Sequence, residues 1–220
     1  MFTAATFKDR RHELRSRIGS GIVFLPGNTL TPMNYRANTF PFRQDSTFRY
    51  FFGLNEPDLF GVLDADSGRD LLFADEVSLE DRIWMGSQET RTKAAVRVGV
   101  KDVKPVADLG GVLLEALKAG RKIHFLPQYR TENQMLFERL LGIKADMVNS
   151  HVSISLIKAV IDQRTIKSDE EIAEIERALE ISYQMYDLAL LILGNAEYEY
   201  EVAGAMEGVA LQHNATMSFR

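Results

Sequence analysis

The residues of this 220-residue chain best equipped for chemistry are its four histidines, at positions 12, 124, 151 and 213, and late carboxylates such as Glu197, Glu199 and Glu201. Two histidines on one helix share a metal or a proton when three or four residues apart, and no two of these are. Alternate helix positions such as 197, 199 and 201 do not face each other either, so they read as solvated surface. The chain has no GxSxG, no HExxH and no phosphate-binding glycine loop. Gly110-Gly111 falls inside a helical pattern rather than after a strand. The absence of cysteine excludes thiol catalysis, disulfides and Cys-ligated zinc, and fits a reducing compartment. One cluster stands out: Arg43-Gln44-Asp45, a cation, an amide and an anion side by side, just before Phe48, Phe51 and Phe52. Asp45 is placed to cap a short helix by accepting a backbone N–H two or three residues on. The three phenylalanines lie at i, i+3 and i+4 and give that helix an apolar face. Gly53 is placed to end it in the left-handed region. Nothing in that local account uses Arg43 and Gln44, which read as part of a buried polar network locking the loop.

The elements that must carry these residues follow from periodicity and breakers. Residues 21–25 form a short apolar run ended by Pro26-Gly27, a buried strand. Residues 60–63 and 71–73 read as paired strands with Asp64 to Gly68 as the turn. Ser78 and Asp81 resemble a capping box opening a helix that ends near Gly86. Asp108 is expected to cap a helix to Gly120, and Thr131 with Gln134 to open another ending at Gly142. Strands are expected at 122–126 and 146–148. Alternating strands and helices argue for a three-layer α/β domain with a mixed, partly parallel sheet. All six prolines lie between Pro26 and Pro127. Beyond them the pattern is almost all helix: a linker helix at 153–162, a long amphipathic helix opened by the Ser168/Glu171 capping box and ended at Gly194-Asn195, and another helix over 198–214.

With 45% hydrophobic residues the chain can build one large core or two smaller ones. Twenty-six basic against 31 acidic residues give a net charge of −5, and no basic run advertises nucleic-acid binding. Residues 1–19 are Arg-rich with acidic residues and no apolar core, unlike a secretory leader. No stretch approaches the roughly 18 apolar residues of a membrane span. A soluble, cytoplasmic protein is expected.

Four segments, in order, resemble one family. Phe42-Arg43-Gln44-Asp45-Ser46 with Phe48, Tyr50 and Gly53 is similar to the FRQ(D/N)S signature of the N-terminal domain of Xaa-Pro aminopeptidases (aminopeptidase P), in the creatinase and prolidase superfamily. Phe7, Arg10-Arg11 and Leu14 resemble its opening motif. Leu72-Phe73, Asp81, Ile83-Trp84 and Gly86 resemble its L-F…D-x-x-x-W-x-G segment. Arg164, Ile166-Lys167-Ser168, Glu171-Ile172, Ile175 and Ala178 resemble the entry to its catalytic domain.

The resemblance implies an N-terminal domain over 1–152, a linker helix and junction over 153–165, and over 166–220 the first helices of a truncated pita-bread (α+β) catalytic domain. It implies two divalent metal ions, usually manganese, held by two Asp, one His and two Glu that lie beyond residue 220. A metal-bound hydroxide would attack the carbonyl before proline, in a pocket dedicated to a bond that lacks the usual N–H. No catalytic residue and no metal ligand are expected in this chain, and the fragment alone is expected to be inactive. Trp84 matches the family tryptophan that reaches a neighbouring subunit's substrate site; a core tryptophan anchoring its helix is the alternative. Arg164 matches the arginine at the domain junction and could pair with a substrate or domain carboxylate, or form a structural salt bridge. Phe219 stands where some relatives carry an active-site Tyr, and the change removes a hydroxyl. Ala37, beside Asn38, stands where relatives carry an Asp. Arg43, Gln44 and Asp45 are assigned mainly to structure. The implied partners are a peptide with proline in second position and further copies of the chain, with neither nucleic acid nor membrane. The rival readings are a prolidase acting on Xaa-Pro dipeptides and a metal-free binding module of the same architecture.

Overall fold

The computed structural model describes residues 2–217. Two compact units divide the chain between Thr165 and Ile166.

Helix α1 (Ala4–Ile18) opens the first unit, capped by the Thr3 hydroxyl, which accepts from Thr6 N. Its buried residues, Phe7, Arg10, Arg11 and Leu14, recur every three or four positions and so share one face. Strand β1 (Ile22–Pro26) is buried at all five positions, as a central strand covered on both sides must be. A small hairpin follows, β2 (Pro32–Tyr35) paired with β3 (Asn38–Thr39), and then α2 (Ser46–Phe52). Strands β4 (Phe60–Asp64) and β5 (Asp70–Phe73) form the expected antiparallel pair. In their turn the Asp64 carboxylate accepts from the N–H groups of Asp66 and Ser67. Next come α3 (Leu79–Met85), α4 (Arg91–Arg97), β6 (Asp102–Lys104), α5 (Leu109–Lys118), β7 (Ile123–His124), α6 (Thr131–Leu141) and α7 (Ile154–Thr165).

The sheet order is β6-β5-β4-β1-β7, antiparallel at its centre and parallel at both margins. Alternation along the strands divides the core in two. Val23, Leu25, Leu63 and Leu72 pack with residues of α1, α2, α4 and α7. Ile22, Phe24, Val62, Leu71 and Phe73 pack with α5 and α6. Helices on both faces make the three-layer α/β architecture. Gly53 ends α2 at φ 66° against the Phe7 ring, and Gly61 lies under the Phe52 ring, so a Cβ at either position would collide with an aromatic.

Several expectations need correction. Residues 146–148 are not a strand but part of a 3₁₀ helix, Ala145–Ser150, whose backbone bonds close locally, as Met147 N to Lys144 O does. The strand expected at 122–126 is confined to Ile123–His124. The Phe125 carbonyl accepts from Ser153 N and the Leu126 carbonyl from the Gln128 side chain, so neither extends the ladder. Asp108 makes no side-chain cap; α5 instead continues out of a 3₁₀ turn, Val106–Asp108. Thr131 lies inside α6 without capping it, and Gln134 donates to Gln128 O rather than closing a box. The hairpin, α4 and β6 were not anticipated.

The second unit is a pair of packed helices, α8 (Asp169–Ile192) and α9 (Glu199–Gln212). The Ser168/Glu171 box forms in both directions. Ile172, Ile175, Leu179, Tyr186 and Leu190 of α8 are exposed. Among the described residues no helix is long and apolar enough to cross a membrane.

Candidate functional site

The loop from β3 to α2 holds the signature residues, and their bonds account for two of them fully. Gln44 is 1% exposed. Its Oε1 accepts from Asn28 N at 2.6 Å and Asp45 N at 2.8 Å, and its Nε2 donates to Glu56 O at 2.7 Å. One amide thus ties together three loops, as a buried polar side chain must to offset its desolvation. Asp45 caps α2: its Oδ1 accepts from Thr47 N at 2.9 Å and Phe48 N at 2.8 Å. Its Oδ2 accepts from the Tyr129 hydroxyl at 3.2 Å. Asn28, just past β1, donates through Nδ2 to Arg43 O at 2.9 Å and to the Tyr129 hydroxyl at 3.3 Å. The Tyr129 ring is exposed, but its hydroxyl end is enclosed between Asn28 and Asp45. That burial, reinforced by the Asp45 charge against the Asn28 bond, raises the phenol above its ordinary range and keeps it a donor.

Arg43 behaves differently from its neighbours. Its backbone is held by Asn28, while its side chain is exposed and its guanidinium has no hydrogen-bond or ion-pair partner among the described residues. It borders a cavity of about 680 Å³ lined by Asn28, Phe40, Arg43, Asp45, Tyr129 and Arg130 among others. A second pocket, about 280 Å³, shares Asp45 and Tyr129 and is otherwise mostly apolar, with Pro26, Leu126, Pro127 and Ile161. Both open where the chain leaves the carboxyl ends of the parallel pair β1 and β7, where α/β sheets commonly bind ligands.

Trp84 lies elsewhere, on α3. The Ser78 hydroxyl accepts from Asp81 N and donates to the Asp81 carboxylate, and Gly86 closes the helix. No residue of α3 is buried. Leu79, Ile83 and Met85 are exposed, and Trp84 is 79% exposed, so it does not anchor its helix in a core. Arg164, in the last turn of α7, places its guanidinium 5.3 Å from the Tyr50 ring centroid. Tyr50 also carries Arg10 at 4.0 Å and donates its hydroxyl to Gln163 O. Neither Trp84 nor Arg164 lines the two cavities described. Phe219 lies outside the described residues.

Three of the four histidines have local roles. His124 is buried, with Nδ1 2.7 Å from Ser153 Oγ and Nε2 3.2 Å from Ser20 O. Because the carbonyl must accept, Nε2 carries the proton and Nδ1 accepts from the serine. Burial, with Lys122 nearby, lowers its pKa. His151 and His213 each bond a backbone carbonyl four residues earlier. Among the described residues no three His, Cys, Asp or Glu side chains gather as metal ligands.

The N-terminal-domain family of aminopeptidase P has a sequence profile that matches residues 7–124, more than half of the chain. The chain belongs to that family. Its curated relatives include the Xaa-Pro aminopeptidase of Escherichia coli K12, 27% identical over 217 residues, covering 95% of this chain and 49% of that protein. The human Xaa-Pro dipeptidase is 27% identical over 190 residues, covering 82% of this chain and 36% of that protein. Among solved structures, Pseudomonas aeruginosa aminopeptidase PepP superposes with a TM-score of 0.80 at 21% identity, covering 98% of this chain and 50% of that one. Escherichia coli aminopeptidase P in its low-pH form gives 0.79 at 22%, covering 97% and 50%. These structures share the fold of this chain, which spans half or less of the length of such relatives.

Asn28, Tyr129 and Arg130 were not singled out from the sequence. They meet the signature loop only because β1 and β7 lie side by side, and no local pattern marks them.

Proposed function

We propose that this chain is the N-terminal part of a metal-dependent aminopeptidase that removes the first residue from peptides with proline in second position. In this reading residues 1–152 shape the substrate cleft and make oligomer contacts, and 166–220 begin the pita-bread domain whose later segments supply the metal ligands. The observation that carries it is Trp84, a lone indole held out on a helix that buries nothing. Such a rigid apolar face is costly to leave in water and suits a peptide or prolyl ring presented by a second copy. Family membership supports the same reading. In this reading the chain contributes to binding: α3 supplies a wall, and the Gln44–Asp45 network holds the floor of a crevice. Arg164, in the last turn of α7, is assigned to pair with a carboxylate of the substrate in the whole protein. Prolidase activity on dipeptides is the second reading, favoured by the likeness to the human Xaa-Pro dipeptidase.

The test is manganese-dependent hydrolysis of an Xaa-Pro-Xaa tripeptide and an Xaa-Pro dipeptide by the protein extended past Arg220, with the 220-residue chain alongside. Release of the first residue from the tripeptide by the extended protein alone supports the aminopeptidase. Turnover of the dipeptide only supports the prolidase. Turnover of neither substrate would indicate a metal-free binding module.

A further inference from the structure

We infer that the cavity beside Arg43 binds the free C-terminal carboxylate of a short peptide. The inference rests on the peptidase reading above and narrows its substrate class. Of the three signature residues, Gln44 and Asp45 are consumed by structure: every hydrogen-bonding atom of the Gln44 amide is engaged, and both Asp45 oxygens accept from named donors. Arg43 is not. Its carbonyl is fixed by Asn28 while its guanidinium has no partner among the described residues. A planar five-donor fork on an anchored backbone is the arrangement that recognises a carboxylate with two parallel bonds.

The rest of the lining agrees. Arg130 is a second cation on the cavity, steadied by the Thr31 hydroxyl and 3.4 Å from Glu132. Asp45 is the one carboxylate among the lining residues, and its charge is spread over Thr47 N, Phe48 N and the Tyr129 hydroxyl. With Arg130 paired to Glu132, Arg43 is the cation of this lining that has no carboxylate partner among the described residues. Asn28, only 4% exposed, also lines it, and its Oδ1 has no donor among the described residues. That oxygen is buried, so the recognition falls to the Arg43 guanidinium, whose planar fork matches a carboxylate. Phe40, Pro41 and Tyr129 offer apolar surface to the terminal side chain. The volume of about 680 Å³ is in the range of small-ligand sites.

The experiment is equilibrium binding of the 220-residue chain to Ala-Pro-Leu as free acid, to the same peptide as C-terminal amide, and to inorganic phosphate, by calorimetry and amide chemical shifts. The free acid should bind about tenfold more tightly than the amide, as the loss of a charge-assisted pair predicts. Arg43→Gln should abolish that preference, with shifts centred on residues 28, 43 and 129. Because Arg43 is exposed, this variant should melt like the wild type, which separates lost binding from lost folding. Arg69→Gln, which removes an exposed pair with Asp102, should keep the preference. Equal binding of acid and amide, a preference that survives in Arg43→Gln, phosphate binding as tight as the peptide's, or no binding at millimolar peptide would each overturn the inference. None of these outcomes depends on turnover, so they are distinct from failure of the hydrolysis test above.

Discussion

Arg11 ties together three parts of the first unit, and replacing it with methionine should cost about 3–5 kcal/mol, because it strips a donor from three carbonyls. It is fully buried. Its Nε donates to Asp70 at 2.8 Å, its Nη1 to Phe51 O at 2.8 Å, and its Nη2 to Val98 O at 3.0 Å and Gly99 O at 3.2 Å. One guanidinium on α1 thus joins the end of α2, the start of β5 and the chain leaving α4. Methionine keeps most of the volume but removes every donor. Asp70 would keep its ion pair with Arg15, so its charge would not be orphaned, which argues against a larger loss. The carbonyls of Phe51, Val98 and Gly99 would lose their side-chain donor, at about 1–3 kcal/mol for each that stays dry and unpaired. Against a total stability of about 5–15 kcal/mol such a loss is severe. Urea unfolding measures it, read by amide protection in α1 so that the second unit does not blur the transition. Arg11→Lys should lose nearly as much, because an ammonium cannot serve four divergent acceptors from one plane. Arg17→Met, which removes exposed pairs with Glu13 and Asp162, should change stability by less than about 1 kcal/mol. A loss below about 1 kcal/mol for Arg11→Met would refute the reasoning.

Three further outcomes are expected. The folded state holds His124 neutral with its pKa lowered by burial, whereas the unfolded chain binds that proton from about pH 6.5 downward. Stability should therefore fall as pH drops from about 7 to 5, and a urea midpoint equally pH-dependent in His124→Asn would sink this assignment. Gln44→Leu should destabilise by about 2–4 kcal/mol by stripping partners from Asn28 N, Asp45 N and Glu56 O, while Arg43→Gln next to it should stay within about 0.5 kcal/mol; comparable losses in thermal unfolding would contradict the division drawn between them. The sole tryptophan, Trp84, should emit as a water-exposed indole in the monomeric chain and be freely quenched by iodide, with Trp84→Ala neutral for stability within about 0.5 kcal/mol; blue-shifted, protected emission from a monomer would show that α3 is packed.

What could be read along the chain was what local physics governs. Asp45 capping α2, the triplet of phenylalanines on its inner face, the Gly53 stop and the Ser168/Glu171 box each need only neighbours within four residues, and all are present. The β4–β5 pair was legible for the same reason, because its turn chemistry lies in one short stretch. Misreadings came where an element depends on a distant partner. A run of three residues at 146–148 looks like a strand, but its carbonyls are met locally and it has no ladder to join. Strand β6 exists because β5 leaves an edge open beside it, which nothing in residues 102–104 announces.

The same division runs through the functional surface. The types and spacing around residues 42–53 were enough to name a family and to mark Arg43 and Gln44 together as a buried network, which holds for Gln44 but not for the exposed Arg43 side chain. Tertiary structure alone decided that Gln44 and Asp45 are consumed while Arg43 is not, because their partners, Asn28, Glu56 and Tyr129, arrive from three other loops. It also decided that Trp84 points to water rather than to a core, since the apolar residues of α3 find no facing surface among the described residues. Helix caps and apolar stripes are written in short range, where each contact is a fixed number of residues away. A cavity is made of side chains far apart in sequence, as Asn28 and Tyr129 are at 101 residues, and only the pairing of β1 with β7 brings those ends together.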